Sequence, residues 1–271
     1  MDSPFQAKSR RVRAASAYLE ARLAAGRVAF SLPDLMRETG LSRIAATRQL
    51  ARLGASVTRV SRLQPFFLIV PPEHRGRGAP PVEWWLGDYF RWLGSPYYLA
   101  LLSAAGAHGS NPQGIQATQV MTGTPRRALE VGDLRVHFFV KRRIGQTPTQ
   151  ELANAYAPTV VSTPAATAFD LVRYADRIGG IGRAAETLRP LLPKIGPVEL
   201  RQVLAAEAEV ATAQRLGYIL EALGQPRLAA IVDEWLPRRR LIPLTGHVPG
   251  PSHSTVSARW RVQDDSGEFL P

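Results

Sequence analysis

The chain has 271 residues, a formal net charge of +12 and no cysteine. Its length suits two domains, and the absence of cysteine excludes disulfides, thiolate metal sites and a cysteine nucleophile. No apolar run approaches the roughly 20 residues of a membrane helix, and the basic N-terminal stretch is not followed by the apolar segment of a secretory signal. The composition therefore predicts a cytoplasmic protein without membrane contact.

The positive charge is concentrated near the N-terminus. Residues 1–78 hold 14 lysines and arginines against 5 acidic residues, a net charge of +9, and the remaining 193 residues carry only +3. This asymmetry favours a polyanionic partner for the first part of the chain. The predominance of arginine over lysine is also what a GC-rich genome produces, but such a genome does not explain the asymmetry.

Residues 31–53 predict two short helices joined by a tight turn, the pattern of a helix-turn-helix. Ser31 is placed to cap the first helix, Gly40 to end it, and Ser42 to cap the second helix. A helix that is held by one apolar face and carries guanidinium groups elsewhere can enter a DNA major groove. This pattern indicates a DNA-binding element.

The second helix of this pair carries the predicted DNA contacts. Ala46, Leu50 and Leu53 share one side at helical spacing and are expected to face the core. The candidate DNA-binding residues around the rest of the helix are Ser42, Arg43, Thr47, Arg48 and Arg52. Arg43 and Arg48 lie on the first two turns and are the candidates for base edges. The alternative interpretation is a solvated helix face.

The elements around this pair predict a winged helix. A helix at about 8–25 and a short extended piece at 27–30 precede it, and strands at 56–62 and 66–70 follow it as a hairpin. Helix, strand, helix, helix and hairpin is the order of a winged helix-turn-helix. We therefore expect a winged-helix DNA-binding domain at residues 1–72.

Further arginines surround the predicted recognition helix. Arg59 and Arg62 flank the tip of the hairpin and are expected to contact phosphates, which adds affinity and salt dependence but little specificity. Arg10, Arg11 and Arg13 either add another clamp on the DNA backbone or belong to a frayed terminus.

A Pro/Gly/Arg-rich stretch at 73–81 predicts a linker to a second domain at 82–240. This domain opens with an aromatic helix at 82–93, whose tryptophans are expected to pack in a core or between domains, and continues with a helix at 97–107. Strands are expected at 115–121, 127–131 and 134–141, and helices at 163–177, 180–192, 197–207, 209–223 and 226–236. A Pro/Gly-rich tail, with one strand at 255–262, occupies 241–271.

Four sequence segments of the second domain carry a resemblance to a known family. They are residues 97–109, 136–141, 162–172 and 214–221. Their order and spacing, together with the preceding winged helix and linker, resemble the AbiEi antitoxins of bacterial type IV toxin–antitoxin systems over residues 10–240. The resemblance implies an autorepressor of its own operon that binds double-stranded operator DNA. It also implies a second domain that counteracts a co-transcribed nucleotidyltransferase toxin, with direct contact between the two proteins left open.

The sequence gives little support for an enzyme. Ser103, His108 and Asp170 have the residue types of a catalytic triad, but no G-x-S-x-G motif accompanies them. Phosphate loops and H-E-x-x-H are also absent. We therefore expect no catalytic residue, no metal and no cofactor. The basic runs at 141–143 and 238–240 are interpreted as solvated surface, with contact to nucleic acid or an acidic partner as the alternative.

The resulting prediction is an α+β protein with an N-terminal winged helix-turn-helix, followed by an α/β domain with a small sheet and a helical C-terminal half. The predicted function is a DNA-binding autorepressor and antitoxin. The alternatives are a winged-helix regulator whose second domain senses a small ligand without any toxin, and, less favoured, a nuclease targeted by the winged helix.

Overall fold

The structure, a computed structural model, describes residues 14–110, 114, 116–152, 156–245, 255–264 and 266. It divides into two compact units. The first comprises 1–95, 128–136 and 153–159, and the second comprises 96–127, 137–152 and 160–271. Along the described residues, the helices are too short or too polar for any of them to cross a lipid bilayer.

The first unit begins with three helices and a three-stranded antiparallel sheet. The elements are α1 (Ala15–Ala24), β1 (Ala29–Ser31), α2 (Leu32–Thr39), α3 (Arg43–Arg52), β2 (Val57–Ser61) and β3 (Gln64–Ile69). The strand order is β1-β3-β2, so the strand before the helices pairs with the second strand of the hairpin. Their core contains Tyr18, Phe30, Leu35, Ala46 and Leu50.

The two central helices lie where the capping pattern predicts them. The Ser31 hydroxyl accepts a hydrogen bond from the Asp34 amide at 3.2 Å, which satisfies one of the free donors at the start of α2. Gly40 ends this helix with a φ of 72°, in the left-handed region that favours glycine. The predicted beginning of the first helix at residue 8 lies outside the described residues.

The first unit extends beyond the predicted linker. Residues Pro72–Arg77 and Val82–Trp84 form 3-10 turns, and the aromatic helix α4 (Leu86–Leu93) follows. Phe66 of β3 packs against Tyr89 and Trp92 of α4, with ring centroids 5.3 and 5.2 Å apart. The aromatic helix therefore belongs to the same unit as the hairpin. The division at residue 95 differs from the predicted boundary at 73–81, because these aromatic side chains bury their surface against β3.

The second unit is built on a mixed sheet. The strands and the helix among them are β4 (Tyr97–Leu99), α5 (Leu101–Ala107), β5 (Thr118–Thr122), β6 (Leu129–Val131), β7 (Leu134–Val140), β8 (Thr149–Leu152) and β9 (Thr159–Ser162). Strand β7 begins in the first unit, where it forms a hairpin with β6, and continues into the second. Within the second unit the strand order is β7-β5-β4-β9-β8.

The predicted helix at 97–107 is wrong at its start. Tyr97–Leu99 form β4, which pairs with β5 on one side and β9 on the other, so it lies in the middle of the sheet. Aromatic residues favour this half-buried pleated surface. The helix α5 begins only at Leu101, whose φ of 53° marks the sharp change of direction.

The C-terminal half is helical as expected. The helices are α6 (Pro164–Arg173), α7 (Ala175–Ile178), α8 (Ile181–Leu188), α9 (Pro197–Glu207), α10 (Val210–Ala222) and α11 (Pro226–Trp235), with a 3-10 segment at Arg189–Lys194. Their apolar faces share one large core with the sheet, centred on residues such as Phe169, Val203 and Leu216.

The described part of the tail forms a small sheet. It consists of β10 (Ile242–Pro243), β11 (Thr255–Ser257) and β12 (Val262–Asp264), in the order β10-β12-β11. The predicted single strand at 255–262 is wrong, because the chain turns between Ser257 and Val262. Trp260 in this turn is fully buried, and the Gln214 side chain on α10 donates to its carbonyl oxygen at 2.8 Å. The tail segment is therefore part of the second unit.

Candidate nucleic-acid interface

The helix α3 is fixed at its start and along one face. The Ser42 hydroxyl caps it by accepting a hydrogen bond from the Ala45 amide at 3.3 Å. Ala46 and Leu50 are buried in the core of the first unit beside Leu35. The apolar stripe predicted from sequence therefore anchors this helix and determines which side chains face outward.

The outward side of α3 is basic and unpaired. Arg43, Thr47, Arg48 and Arg52 are all exposed. Among the residues that the structure describes, none forms an ion pair or hydrogen bond with the three guanidinium groups. These three cations therefore have no counterion in the part of the chain that the structure describes.

Sequence reasoning missed one residue on this surface. Ile44 lies between Arg43 and Ala45 on the first turn of α3, and 67% of its surface is exposed. The sequence could have indicated this residue, because Ile44 is apolar but does not share the helix face of Ala46 and Leu50. An exposed branched side chain beside an arginine is suited to contact a thymine methyl group in the major groove.

The hairpin places its two arginines differently. Arg59 Nε donates to the Gln64 carbonyl oxygen at 2.8 Å, and its guanidinium lies over the Phe67 ring at 5.6 Å. It is exposed but held in place across the hairpin. Arg62 is exposed in the turn beside Leu63, whose surface is 84% exposed. Both arginines lie in the same unit as α3. Arg10, Arg11 and Arg13 lie outside the described residues.

A buried ion network in the second unit was not expected from sequence. Lys141 Nζ donates to Asp170 Oδ1 and Glu207 Oε1, both at 2.7 Å, and to the Tyr98 hydroxyl at 3.2 Å. The interpretation of Lys141 as solvated surface is therefore wrong. Its two carboxylate partners lie 29 and 66 residues further along the chain, too far for a local pattern to reveal them.

Both carboxylates of the network accept further hydrogen bonds. Tyr98 donates to Asp170 Oδ2 at 2.8 Å, and the Thr147 hydroxyl donates to Glu207 Oε1 at 2.8 Å. Burial raises the pKa of Asp170 above its ordinary value, and the Lys141 charge offsets that rise in part. Because all three donors of Lys141 are used, the network links the sheet to the helices.

The nominal triad is not assembled. Ser103 Oγ accepts a hydrogen bond from the Gln119 amide at 2.9 Å, and His108 Nε2 lies 2.6 Å from the Ser162 carbonyl oxygen. Asp170 is engaged by Lys141 instead. Each of the three side chains thus has a separate structural partner.

A family model described as the AbiEi antitoxin C-terminal domain matches residues 98–222, which include β4, the ion network and α10. This stretch is an AbiEi antitoxin domain. The resemblance to AbiEi antitoxins predicted from the sequence segments is therefore confirmed. The AbiEi domain supports an antitoxin role within a toxin–antitoxin system, and such a role implies a toxin partner in general terms.

The fold has a solved counterpart. The crystal structure of the RV2827C protein from Mycobacterium tuberculosis superposes with a TM-score of 0.66, over 93% of this chain and 91% of that chain. The two sequences are 16% identical, so the similarity concerns the fold. No curated protein matches the chain.

Proposed function

We propose that this chain is a DNA-binding autorepressor and antitoxin of the type IV class. In this proposal residues 1–72 form a winged helix-turn-helix that binds double-stranded operator DNA, and the AbiEi domain counteracts a co-encoded nucleotidyltransferase toxin. The observation that carries the DNA-binding half is the anchored helix α3, with Arg43 and Arg48 exposed and unpaired among the described residues.

The first turns of α3 supply the base contacts. Arg43 and Arg48 each present a planar fork of donors that fits the O6 and N7 acceptors of guanine. One bidentate pair of this kind discriminates against a wrong base by about 1–3 kcal/mol. Ile44 adds an apolar contact for a thymine methyl, and Ser42, Thr47 and Arg52 flank these residues to bind the DNA backbone.

The hairpin supplies phosphate contacts. Arg59 is already oriented by Gln64 and Phe67, so little side-chain entropy is lost when its remaining donors meet a phosphate. Arg62 projects from the turn without such support. Both add affinity that falls with salt, because phosphate binding releases condensed counterions.

A gel shift on the DNA upstream of the protein's own gene tests the DNA-binding half. We expect the wild-type chain to bind this DNA more tightly than a scrambled duplex, and Arg43→Gln/Arg48→Gln to lose the preference. Arg91→Gln is the matched control, since Arg91 is exposed on α4 and pairs with Asp88 in the same unit. Equal binding of both duplexes by the wild type at low salt would contradict this proposal.

Co-expression tests the antitoxin half. We expect a neighbouring nucleotidyltransferase gene to arrest growth when expressed alone and this chain to relieve the arrest. An Arg43→Gln/Arg48→Gln chain expressed from a foreign promoter should still relieve it, because neutralisation is assigned to the AbiEi domain. Arrest that the wild type cannot relieve would remove the antitoxin role. Whether the two proteins touch is a separate question, which co-purification answers.

A further inference from the structure

A cavity of about 510 Å³, lined mostly by charged residues, opens in the second unit beside the ion network. Its walls come from the end of β7, the last residue of α6 and the junction between α9 and α10. Pockets for small molecules have volumes of about 300–1,000 Å³ and carry a few polar groups that fix orientation. This cavity therefore has the dimensions of a ligand site.

Alternating charges lead from the core into this cavity. Asp170, Lys141 and Glu207 are followed by Arg173, whose Nη1 lies 3.6 Å from Glu207 Oε2 and 3.1 Å from Glu209 Oε2. Three of these five groups are acidic and two are basic, and each of the two cations lies between two carboxylates. The chain of ion pairs holds the cavity wall in place, because three of its members are buried.

Two cations at the cavity have no counterion. Arg142 and Arg143 line it, both are exposed, and no described residue forms an ion pair with either guanidinium. Two adjacent arginines with free donors are suited to bind a phosphate group by charge-assisted hydrogen bonds. The expectation from sequence that they are plain solvated surface does not account for the cavity beside them.

One carboxylate in the wall, that of Glu209, is partly exposed. Oε2 of Glu209 is shielded from solvent and ion-paired with Arg173, but 38% of the Glu209 side chain is exposed. A ligand hydroxyl or amino group can donate to the exposed part of this carboxylate. A pocket of this volume takes a small molecule and not the continuous row of phosphates of a nucleic acid.

We propose that this cavity binds a small phosphorylated molecule. Its phosphate lies against Arg142 and Arg143, and a hydroxyl or amino group of the same molecule donates to Glu209. Arg173 remains paired with Glu207 and orients the Glu209 side chain. The residues of this site belong to the second unit and α3 belongs to the first, and occupation of the site can be tested without DNA or toxin.

Calorimetric titration of the full chain tests this site, with inorganic phosphate, ribose 5-phosphate and unphosphorylated ribose as probes at constant ionic strength. We expect saturable binding of both phosphate probes and none of ribose. In Arg142→Gln/Arg143→Gln both dissociation constants should rise at least about tenfold. Arg227→Gln, an exposed arginine of α11 away from the cavity, should bind as the wild type does.

The contribution of Glu209 has its own readout. Glu209→Ala removes a negative charge as well as an acceptor, so it should leave binding of inorganic phosphate equal or tighter. It should weaken ribose 5-phosphate relative to inorganic phosphate, because only the former donates a hydroxyl to the carboxylate. A rise of both constants together would contradict the assigned role of Glu209.

Three outcomes would overturn the site as a whole. The first is the absence of saturable binding by either phosphate probe up to about 20 mM in the folded wild type. The second is unchanged phosphate binding by Arg142→Gln/Arg143→Gln. The third is a double variant that loses operator DNA while the wild type binds neither phosphate probe, since the two arginines would then serve nucleic acid.

Discussion

Lys141 and Asp170 form an ion pair with an N–O distance of 2.7 Å, in which the side chains are 1% and 0% exposed. Removing one partner of such a pair leaves an uncompensated charge in the core. We therefore expect Lys141→Met to lower the free energy of unfolding by about 3–5 kcal/mol. Urea unfolding monitored by circular dichroism measures this change. Arg142→Met, one residue further and exposed, is the control and should change stability by less than about 0.5 kcal/mol.

Gly217 and Trp260 link α10 to the tail. A Cβ atom at Gly217 would meet the indole ring at 2.1 Å, so Gly217→Ala forces the ring to move. We expect a loss of about 1–3 kcal/mol and a red shift of tryptophan fluorescence as the buried indole becomes hydrated. Gly145→Ala is the control, because a Cβ there meets no atom within 4 Å. Similar stability of the two variants would show that the tail does not pack as described.

The local features of this fold could be predicted from sequence. The caps Ser31 and Ser42, the helix end at Gly40 and the apolar stripe of α3 each depend on a few neighbouring residues, so a local pattern reveals them. The exposed arginines of α3 follow from that stripe, because a helix that buries Ala46 must direct the opposite side chains outward. The sequence segments that resemble AbiEi antitoxins could also be recognised, because each is a short continuous stretch.

The remaining features depend on contacts between distant residues. The sequence run at 141–143 is uniformly basic, yet the first member is buried because Asp170 and Glu207 reach it from other elements. Likewise the aromatic helix α4 joins the first unit only because Phe66 offers it a partner. Neither a charge run nor an aromatic helix specifies its partner, so the ion network and the unit boundary required the structure.

Ser42 allows the stability of α3 to be separated from its DNA contacts. Ser42→Ala should cost about 1 kcal/mol of stability, since it removes the acceptor for the Ala45 amide. Ser42→Asp should keep the cap and the melting temperature but weaken DNA binding, because it adds a negative charge near the phosphates. Thermal unfolding and fluorescence anisotropy on the same samples check both effects. Unchanged affinity of Ser42→Asp at low salt would place the start of α3 away from DNA.

The Asp34 carboxylate is expected to make the stability of the first unit depend on pH. Burial alone would raise the pKa of this carboxyl, but hydrogen bonds from Ser31 and Arg37 outweigh it and lower the pKa below its ordinary value. A carboxyl with a lowered folded pKa stabilises the protein above its unfolded pKa, and this contribution is lost as the pH falls through the folded pKa.

Asp34→Asn should therefore unfold at a lower temperature than the wild type at pH 7. The difference between the two melting temperatures should narrow as the pH falls from about 4, the pKa of an unfolded aspartate, through the lower pKa of the folded carboxyl. Scanning calorimetry from neutral to acidic pH measures the difference. A constant difference over this range would mean that the Asp34 charge does not contribute.

The most direct test of the account is the ratio of affinities for upstream and scrambled DNA, measured by fluorescence anisotropy over a series of salt concentrations. Arg43→Gln and Arg48→Gln should each lower this ratio by the equivalent of about 1–3 kcal/mol. Arg62→Gln should instead weaken both duplexes alike and reduce the salt slope by about 1. If Arg43→Gln and Arg48→Gln leave the ratio unchanged, α3 does not read the bases and the central claim is wrong.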